Sequence, residues 1–213
     1  MLVCLASTSP ARRALLLQTG IDPRLESPGV DEERVIADLE RARGAAVSPA
    51  EHVQVLATAK ARAVASRLAE EGFAGLVIGG DSMFVRGERV YGKPHTAAAA
   101  TERWREMRGR TGELFSGHCV IRVGSGEPAE AEAVATARVS FAADVTDAEI
   151  AAYVATGEPL EVAGAFTVDG RGAGFIERVE GDPSTVVGMS LSTVRRLARE
   201  LGAEWTALWS ASA

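Results

Sequence analysis

The chain has 213 residues, of which 46% are hydrophobic and 5% aromatic, so it can bury the core of one large α/β domain or of two lobes. Its formal net charge of −6 argues against broad nucleic-acid binding, which depends on neutralising many backbone phosphates. Since no apolar stretch is long enough to span a bilayer and the first residues do not resemble a signal peptide, we expect a cytoplasmic protein.

The first twenty residues predict a strand that runs through a polar turn into a helix. Leu2–Leu5 is a short apolar run typical of a strand, and the small polar residues after it indicate a loop. Ser9 is placed as a helix N-cap, Pro10 as the first helical residue and Gly20 as a C-cap.

Two arginines, Arg12 and Arg13, lie in the first turn of this helix, where the dipole disfavours positive charge. Backbone N–H groups, hydroxyls and a guanidinium at one helix N-terminus would bind an anion well, and phosphate is the anion that we expect. The alternative is an ordinary helix start with both arginines solvated. The local sequence leaves both interpretations open.

The segment after Gly20 is predicted to be irregular as far as Ala50. Its acidic cluster, Asp31, Glu32 and Glu33, is interpreted on local grounds as solvated, because charge clusters in loops usually are. The local pattern alone assigns this cluster no chemical role.

A helix is predicted from the capping box of Ser48 and Glu51 to about Glu71, where Gly72 ends it. The apolar residues of this helix form one stripe, and Lys60 falls inside the stripe near the middle of the helix. Lys60 therefore either extends its aliphatic stem towards solvent or faces an anion.

The next predicted strand carries an acid. The apolar run Leu76–Ile78 is followed by two glycines, which allow another backbone or a ligand to come close, and then by Asp81. A carboxylate in a buried strand is costly unless it has a partner. A hairpin loop at 86–89 would pair Ser82 with Lys93, and that lysine near Asp81 suits either a structural ion pair or metal-assisted phosphate chemistry.

The rest of the chain alternates helices and strands. The predicted elements are a helix at 96–108, strands at 113–123 and 134–141 joined by the loop 124–128, a helix from Thr146 to about Gly157, strand-like segments at 165–168 and 174–179, and a helix at 191–201. His118 has no second histidine at ligand spacing, so it is interpreted as a packing or surface residue. Cys4 and Cys119 lie in apolar runs and are interpreted as small buried hydrophobes without a disulfide.

Several separated motifs resemble the Maf family of nucleoside triphosphate pyrophosphatases. They are LASTSPARRALL at 5–16, VDE at 30–32, AKA around Lys60, GGDS at 79–82, GKP at 92–94 and GEPLEVAGAFTVDGRGAGFIERVEGDPSTVVGMSL at 157–191. Together they follow nearly the whole chain in order, which is far more specific than any one motif. The resemblance implies one α/β domain over residues 1–213, similar to inosine triphosphate pyrophosphatases, with a long twisted mixed sheet, flanking helices and two lobes around a cleft.

The resemblance also implies hydrolysis of a nucleoside triphosphate to the monophosphate and pyrophosphate with a divalent cation, Mg²⁺ or Mn²⁺. Asp81 matches the family's proton acceptor, so we expect it to activate water, directly or through a metal shared with Glu32. The other polar cleft residues of the family match Ser7, Arg12, Lys60 and Lys93. These side chains are expected to hold the phosphates and to offset charge on the leaving group.

The positions that select the base depart from the family. Ala11, Ser82 and Asp169 stand where the branch that hydrolyses dTTP and UTP has arginine, threonine and glutamine, and the 7-methyl-GTP branch differs at the same places. Because the chain fits neither set, the resemblance leaves the base open, modified bases included. Further departures are Ser116 for a threonine, Val162 for a lysine and Ser190 for a proline.

Two functional classes follow from the sequence. The first is a pyrophosphatase that removes particular nucleotides, and the second is a nucleotide-binding regulator of septum formation and cell division. The presence of Asp81 together with Lys60 and Lys93 favours the enzyme, because a sensor needs no acid that activates water. The resemblance suggests a homodimer with a nucleoside triphosphate as substrate, and neither nucleic acid nor a membrane is expected as a partner.

Overall fold

The computed structural model describes residues 1–124 and 129–210. Its elements in chain order are strand β1 (Leu2–Ala6), helix α1 (Pro10–Gln18), β2 (Arg24–Leu25), α2 (Glu32–Arg43), α3 (Pro49–Glu70), β3 (Gly75–Arg86), β4 (Arg89–Tyr91), α4 (Ala97–Met107), β5 (Thr111–Val123), β6 (Ala129–Phe141), α5 (Asp147–Ala155), β7 (Ile176–Glu180), α6 (Pro183–Val187) and α7 (Leu191–Glu200). Apart from its first residue, the predicted loop 124–128 lies outside the described residues. None of the described helices is both long enough and apolar enough to cross a membrane.

The strands form a mixed sheet in the order β2-β1-β3-β5-β6-β7, with β4 paired to β3. Strand β1 is parallel to both of its neighbours, with Cys4 beside Arg24 on one side and Val77 on the other. The pairs β3–β4 and β6–β7 are antiparallel. The predicted α/β class with a mixed sheet and flanking helices is therefore confirmed.

The chain divides into two compact units. Unit 1 comprises Met1–Asp81, Ser116–Ala135 and Gly188–Ala213, and unit 2 comprises Ser82–Phe115 and Thr136–Val187. Three of the boundaries fall within β3, β5 and β6. Each unit is thus built from stretches that are separated along the chain.

Helix α3 organises the core of unit 1. The predicted capping box is present, with Ser48 and Glu51 each bonding the other's backbone N–H, and the predicted apolar stripe is buried. The helix backbone lies directly on two strands, because a Cβ at Gly79 would meet the backbone of Ala57 and a Cβ at Gly117 would meet that of Val53. These two glycines therefore fix how closely α3 approaches β3 and β5.

Unit 2 has an aromatic core. Phe84 makes edge-to-face contacts with three rings, those of Tyr91, Phe141 and Phe166. Trp104 is fully buried, and its Nε1–H donates to the carbonyl oxygen of Ala165 at 2.7 Å. The indole thus satisfies its one polar group inside the core, as a buried tryptophan usually must.

Helix α2 occupies part of the segment that was predicted to be irregular, so that prediction is wrong. Asp31 caps the helix by accepting from the backbone N–H of Arg34, and Glu32 and Glu33 lie in its first turn, where acidic residues suit the dipole. The helix has no fully buried residue. It therefore lacks the apolar stripe by which a helix is recognised in a sequence.

Residues 165–168 do not form the predicted strand. A 3-10 turn occupies Ala163–Ala165, and both Gly164 and Ala165 have left-handed backbone, with φ of 77° and 62°. A second 3-10 helix, Arg171–Phe175, delays the start of β7 to Ile176. This left-handed backbone breaks the extended conformation that the apolar residues had suggested.

The hairpin after β3 is tighter than predicted. Its strands extend to Arg86 and resume at Arg89, so the loop holds two residues and not four. The ladder ends at the pair Phe84–Tyr91, and the predicted pairing of Ser82 with Lys93 is therefore not part of it.

Candidate active site

Lys60 lies at the centre of a charged cluster in unit 1. Its Nζ is 2.7 Å from Asp81 Oδ1 and 2.8 Å from Glu32 Oε1. The Lys60 side chain is 8% exposed and that of Asp81 14%, whereas that of Glu32 is half exposed. Of the two environments expected for this lysine, the structure gives the anionic one, with two carboxylates on one buried ammonium.

Three elements bring this cluster together. The close approach of α3 to β3 at Gly79 places Lys60 against the strand that carries Asp81, two residues further on. Glu32 comes from the first turn of α2, so the helix that sequence patterns missed supplies the second carboxylate. The cluster depends on packing between elements that are distant in sequence.

The guanidinium of Arg12 is held by two further parts of unit 1. Its Nε donates to the carbonyl oxygen of Gly188 at 2.8 Å, and its Nη1 donates to Ser7 Oγ at 3.3 Å. Ser7 is buried, and its Oγ also accepts from the backbone N–H of Ser9 at 3.1 Å. Arg13 is exposed. The interpretation that both arginines are solvated therefore holds for Arg13 only. The side chain of Arg12 is fixed in direction by its hydrogen bonds.

The Arg12 side chain passes over β3 at Gly80, directly before Asp81. A Cβ at Gly80 would lie 3.3 Å from Arg12 Nε, which confirms that this glycine admits a close neighbour. Burial lowers the pKa of Arg12, and the carboxylates of Asp81 and Glu32 oppose that shift. A guanidinium stays protonated even so, and it supplies a fixed positive charge beside the two carboxylates.

Ser116 contacts both the strand that carries Asp81 and the segment that holds Arg12. The sequence analysis marked it only as a departure from the family. Its hydroxyl is buried and lies 3.2 Å from the carbonyl oxygen of Gly188 and 3.4 Å from that of Asp81. The same oxygen is 3.5 Å from Nε2 of His118, and the single hydroxyl proton can serve only one of these three acceptors at a time. His118, interpreted as a packing residue, is fully buried nearby on β5.

The remaining predicted site residues are distributed over both units. Ala11 lies on α1 and is partly buried, while Ser82 follows Asp81 on β3 and belongs to unit 2. Lys93 and Asp169 are exposed residues of unit 2. Within unit 1 the structure brings together Ser7, Arg12, Glu32, Lys60 and Asp81.

Glu158 is a polar centre of unit 2 that the sequence analysis did not single out. Its Oε1 accepts from Tyr153 Oη at 2.9 Å, from Thr167 Oγ1 and from the backbone N–H of Gly172 at 3.1 Å, and its Oε2 accepts from that of Arg171. Burial would raise the pKa of Glu158, but these four donors together hold it below its usual value. The carboxylate fixes both ends of the turn that carries the predicted specificity residue at position 169.

The carboxylates of Glu32 and Asp81 are suitable ligands for a hard divalent cation. One oxygen of each lies within 2.8 Å of Nζ of Lys60, so the two carboxylates are neighbours on the same ammonium. Mg²⁺ in proteins is often held by one or two carboxylates together with substrate phosphates, and this pair fits that pattern. Over residues 1–124 and 129–210 there is no cluster of three or more His, Cys, Asp or Glu side chains that would hold a metal by itself.

Comparisons with known proteins agree on one family. The family model described as Maf-like protein matches residues 2–201. A nucleoside triphosphate pyrophosphatase of Leifsonia xyli subsp. xyli is 56% identical over 211 residues, which cover 99% of this chain and 97% of the relative. Proteins with the same name from Salinispora tropica and Streptomyces avermitilis are 51% and 48% identical, covering 97% of this chain in both cases and 86% and 93% of the relatives.

Proposed function

The chain belongs to the family of Maf-like proteins, and we propose that it is a nucleoside triphosphate pyrophosphatase, which hydrolyses its substrate to the monophosphate and pyrophosphate. One observation carries the proposal beyond the names of its relatives: a carboxylate, Asp81, stands beside a buried ammonium, and a fixed guanidinium lies close by. This combination offers a proton acceptor and phosphate ligands in one place.

We assign Asp81 to activate the attacking water. Cleavage between the α- and β-phosphates requires a water oxygen at the α-phosphorus, and a carboxylate accepts the proton that this water loses. Asp81 Oδ1 is engaged by Lys60, which orients the carboxylate directly after the buried residues 75–80 of β3. A preorganised carboxylate needs little rearrangement when the substrate binds.

We assign Arg12, Lys60 and Lys93 to the phosphates, with the Ser7 hydroxyl supporting Arg12. Pyrophosphate gains charge as it leaves, and fixed cations stabilise that charge most effectively in a partly dry site. The Arg12 guanidinium is already oriented by Gly188 and Ser7, which reduces the ordering that binding would otherwise require.

We propose Mg²⁺ or Mn²⁺ as the cofactor, with Glu32 and Asp81 as its protein ligands. Such a cation, when bound with a triphosphate, supplies charge neutralisation at the phosphate oxygens and a more acidic bound water. The support is that two carboxylates, the ligand type that Mg²⁺ prefers, are neighbours on the same ammonium. We also propose that the protein is a cytoplasmic homodimer, which the resemblance to the family supports.

We propose that Ala11, Ser82 and Asp169 contribute to the choice of base. Ser82 offers a hydroxyl and Asp169 a carboxylate, whose oxygens can accept hydrogen bonds from the N–H groups of a base. Ala11 offers only a methyl group. Because these residues differ from those of both family branches, the preferred substrate is to be found by testing common and modified triphosphates together.

The test is pyrophosphate release from that panel, with Mg²⁺ or Mn²⁺, by the wild type and by Asp81→Asn. We expect turnover by the wild type and a loss in Asp81→Asn on the order of a hundredfold or more, since a positioned general base contributes at least that much. Triphosphate binding should largely remain. The same chemical change at the exposed Asp144, Asp144→Asn, is the matched control and should leave turnover unaltered.

Nearly normal turnover in Asp81→Asn would refute the role assigned to this carboxylate. If the wild type bound triphosphates but hydrolysed none of them, the enzyme proposal would fail. That outcome would favour the nucleotide-binding regulator of septum formation instead.

A further inference from the structure

A buried hydrogen bond joins two residues of unit 1 that the proposed chemistry does not use. The backbone N–H of Ser190 donates to Nε2 of His118 at 2.8 Å. His118 has no exposed surface and Ser190 is 1% exposed, so this bond is shielded from water. Nε2 also lies 3.5 Å from Ser116 Oγ, so the bond belongs to a buried polar group of Ser116, His118 and Ser190, and losing a buried hydrogen bond of this kind is costly.

The protonation of His118 follows from its neighbours. A backbone N–H can only donate, so Nε2 carries no proton, and the proton of the neutral ring lies on Nδ1. Nδ1 is 3.2 Å from the carbonyl oxygen of Ala133, to which it donates. Both ring nitrogens are thus used, one towards β6 and one towards the N-terminus of α7.

The segment held by this histidine leads directly to the proposed phosphate site. Two residues before Ser190, the carbonyl oxygen of Gly188 accepts from Nε of Arg12 at 2.8 Å. Gly188 has left-handed backbone with φ of 122°, so its carbonyl direction depends on how the chain is anchored on either side. His118 provides an anchor at Ser190, and Ser190 also caps α7 by accepting from the N–H of Thr193.

The bond depends on the backbone N–H of residue 190. Ser190 replaces the proline that the related motif carries, and proline has no N–H to donate. The φ of Ser190 is −72°, within the range of about −65 ± 15° that proline requires. The φ of Ser190 alone would therefore suit proline, but the Cδ of proline would replace the N–H and press against Nε2 of His118, so residue 190 must keep its N–H for this bond.

We propose that His118 is a positioning residue for the phosphate-binding guanidinium of Arg12, acting through the N–H of Ser190 and the carbonyl of Gly188. The inference rests on the proposed function, because it concerns how tightly Arg12 holds the phosphates of the substrate. His118 does not touch the reacting atoms. Its contribution is expected in the affinity for the triphosphate rather than in the chemical step.

The first test compares His118→Leu with His118→Gln. Leucine fills similar space without an acceptor, whereas the side-chain oxygen of glutamine can accept from the N–H of Ser190. Glutamine thus restores an acceptor together with amide donors, whereas leucine restores neither, and the substitutions at position 190 described below test the acceptor separately. We expect KM for the preferred triphosphate to rise about tenfold in His118→Leu with a smaller change in kcat, and glutamine to restore most of that loss.

The second test asks whether the effect passes through Arg12. In the background of Arg12→Ala, His118→Leu should raise KM no further, because the group that it positions is gone. Additive effects of the two substitutions would overturn the proposal. Equal KM values for the leucine and glutamine variants would also overturn it.

Substitutions at position 190 test the same bond if His118→Leu does not fold. Ser190→Pro removes the N–H and the cap of α7, while Ser190→Ala removes only the cap, so only the proline variant should raise KM.

Affinity for a non-hydrolysable triphosphate analogue separates this proposal from the proposed function. If the wild type bound the analogue but hydrolysed no triphosphate, the proposal that the chain is an enzyme would be refuted. Weaker binding of the analogue by Ser190→Pro than by Ser190→Ala would still support the positioning role of His118. Equal binding by these two variants would refute it.

Discussion

The closeness of α3 to β3 can be tested with a single methyl group. In Gly79→Ala the new Cβ would lie 2.8 Å from both the Cβ and the backbone N of Ala61, and closer still to the carbonyl oxygen of Ala57. Ordinary contacts begin at about 3.4 Å. The helix must therefore retreat from the strand by about 0.6 Å or more before the methyl group fits.

This retreat has two expected costs. Forcing a methyl group into a packed interface usually destabilises a protein by about 1–3 kcal/mol, so the free energy of unfolding should fall by that amount. The helix also carries Lys60, whose Nζ lies 2.7 Å from Asp81 Oδ1. Because misplacing a catalytic group by about 1 Å can reduce the rate about a hundredfold, we expect kcat/KM to fall by roughly ten- to a hundredfold.

The assay combines urea unfolding with pyrophosphate release, and Gly174→Ala is the matched control. A Cβ at Gly174 would meet nothing within 4 Å, and its backbone is not left-handed, so this variant should be close to the wild type in both measurements. If Gly79→Ala matched Gly174→Ala in stability and in kcat/KM, the argument that this glycine sets the position of Lys60 would be refuted.

Two further predictions concern titratable groups. Glu158→Gln should unfold at a lower temperature than the wild type at pH 7. Because the pKa of Glu158 is lowered from 4.5, the carboxylate stabilises the fold fully above that pH, and this stabilisation is lost as the pH falls through the lowered pKa. The difference in Tm between the two proteins should therefore shrink in acid. The exposed Glu177→Gln is the control, and a pH-independent difference would contradict the prediction. Burial raises the pKa of Cys4 to about 11 and that of Cys119 to about 12, so neither thiol should react with a disulfide reagent at pH 8 until urea unfolds the chain, and rapid labelling of the folded protein would contradict this.

Local patterns were sufficient where one element carries its own signal. The capping box and apolar stripe of α3 were readable from the sequence, and Lys60 stood out because a lysine does not belong in such a stripe. The two glycines before Asp81 likewise indicated a close neighbour, which proved to be helix backbone at Gly79 and the Arg12 side chain at Gly80.

Other parts of the site needed the family resemblance or the structure. Glu32 lies on a helix with no buried residue, and the local sequence marked it only as part of a solvated acidic cluster, so its role came from the match to family motifs alone. No sequence pattern pairs Arg12 with the carbonyl of Gly188, because that contact depends on how the whole chain is folded. His118 and Glu158 act through hydrogen bonds to backbone groups, and such bonds leave no periodic trace in the sequence.

The division of unit 1 into three separate stretches bears on how the protein is made. Arg12 and the carbonyl that orients it are 176 positions apart, and ribosomal synthesis runs from the first residue to the last. Helix α1 therefore leaves the ribosome long before its partner at Gly188 exists, and residues 82–115 and 136–187 are translated in between. The guanidinium can take up its final orientation only when nearly the entire chain has emerged, so a nascent chain released early would carry Asp81 and Lys60 but lack the acceptor that fixes Arg12.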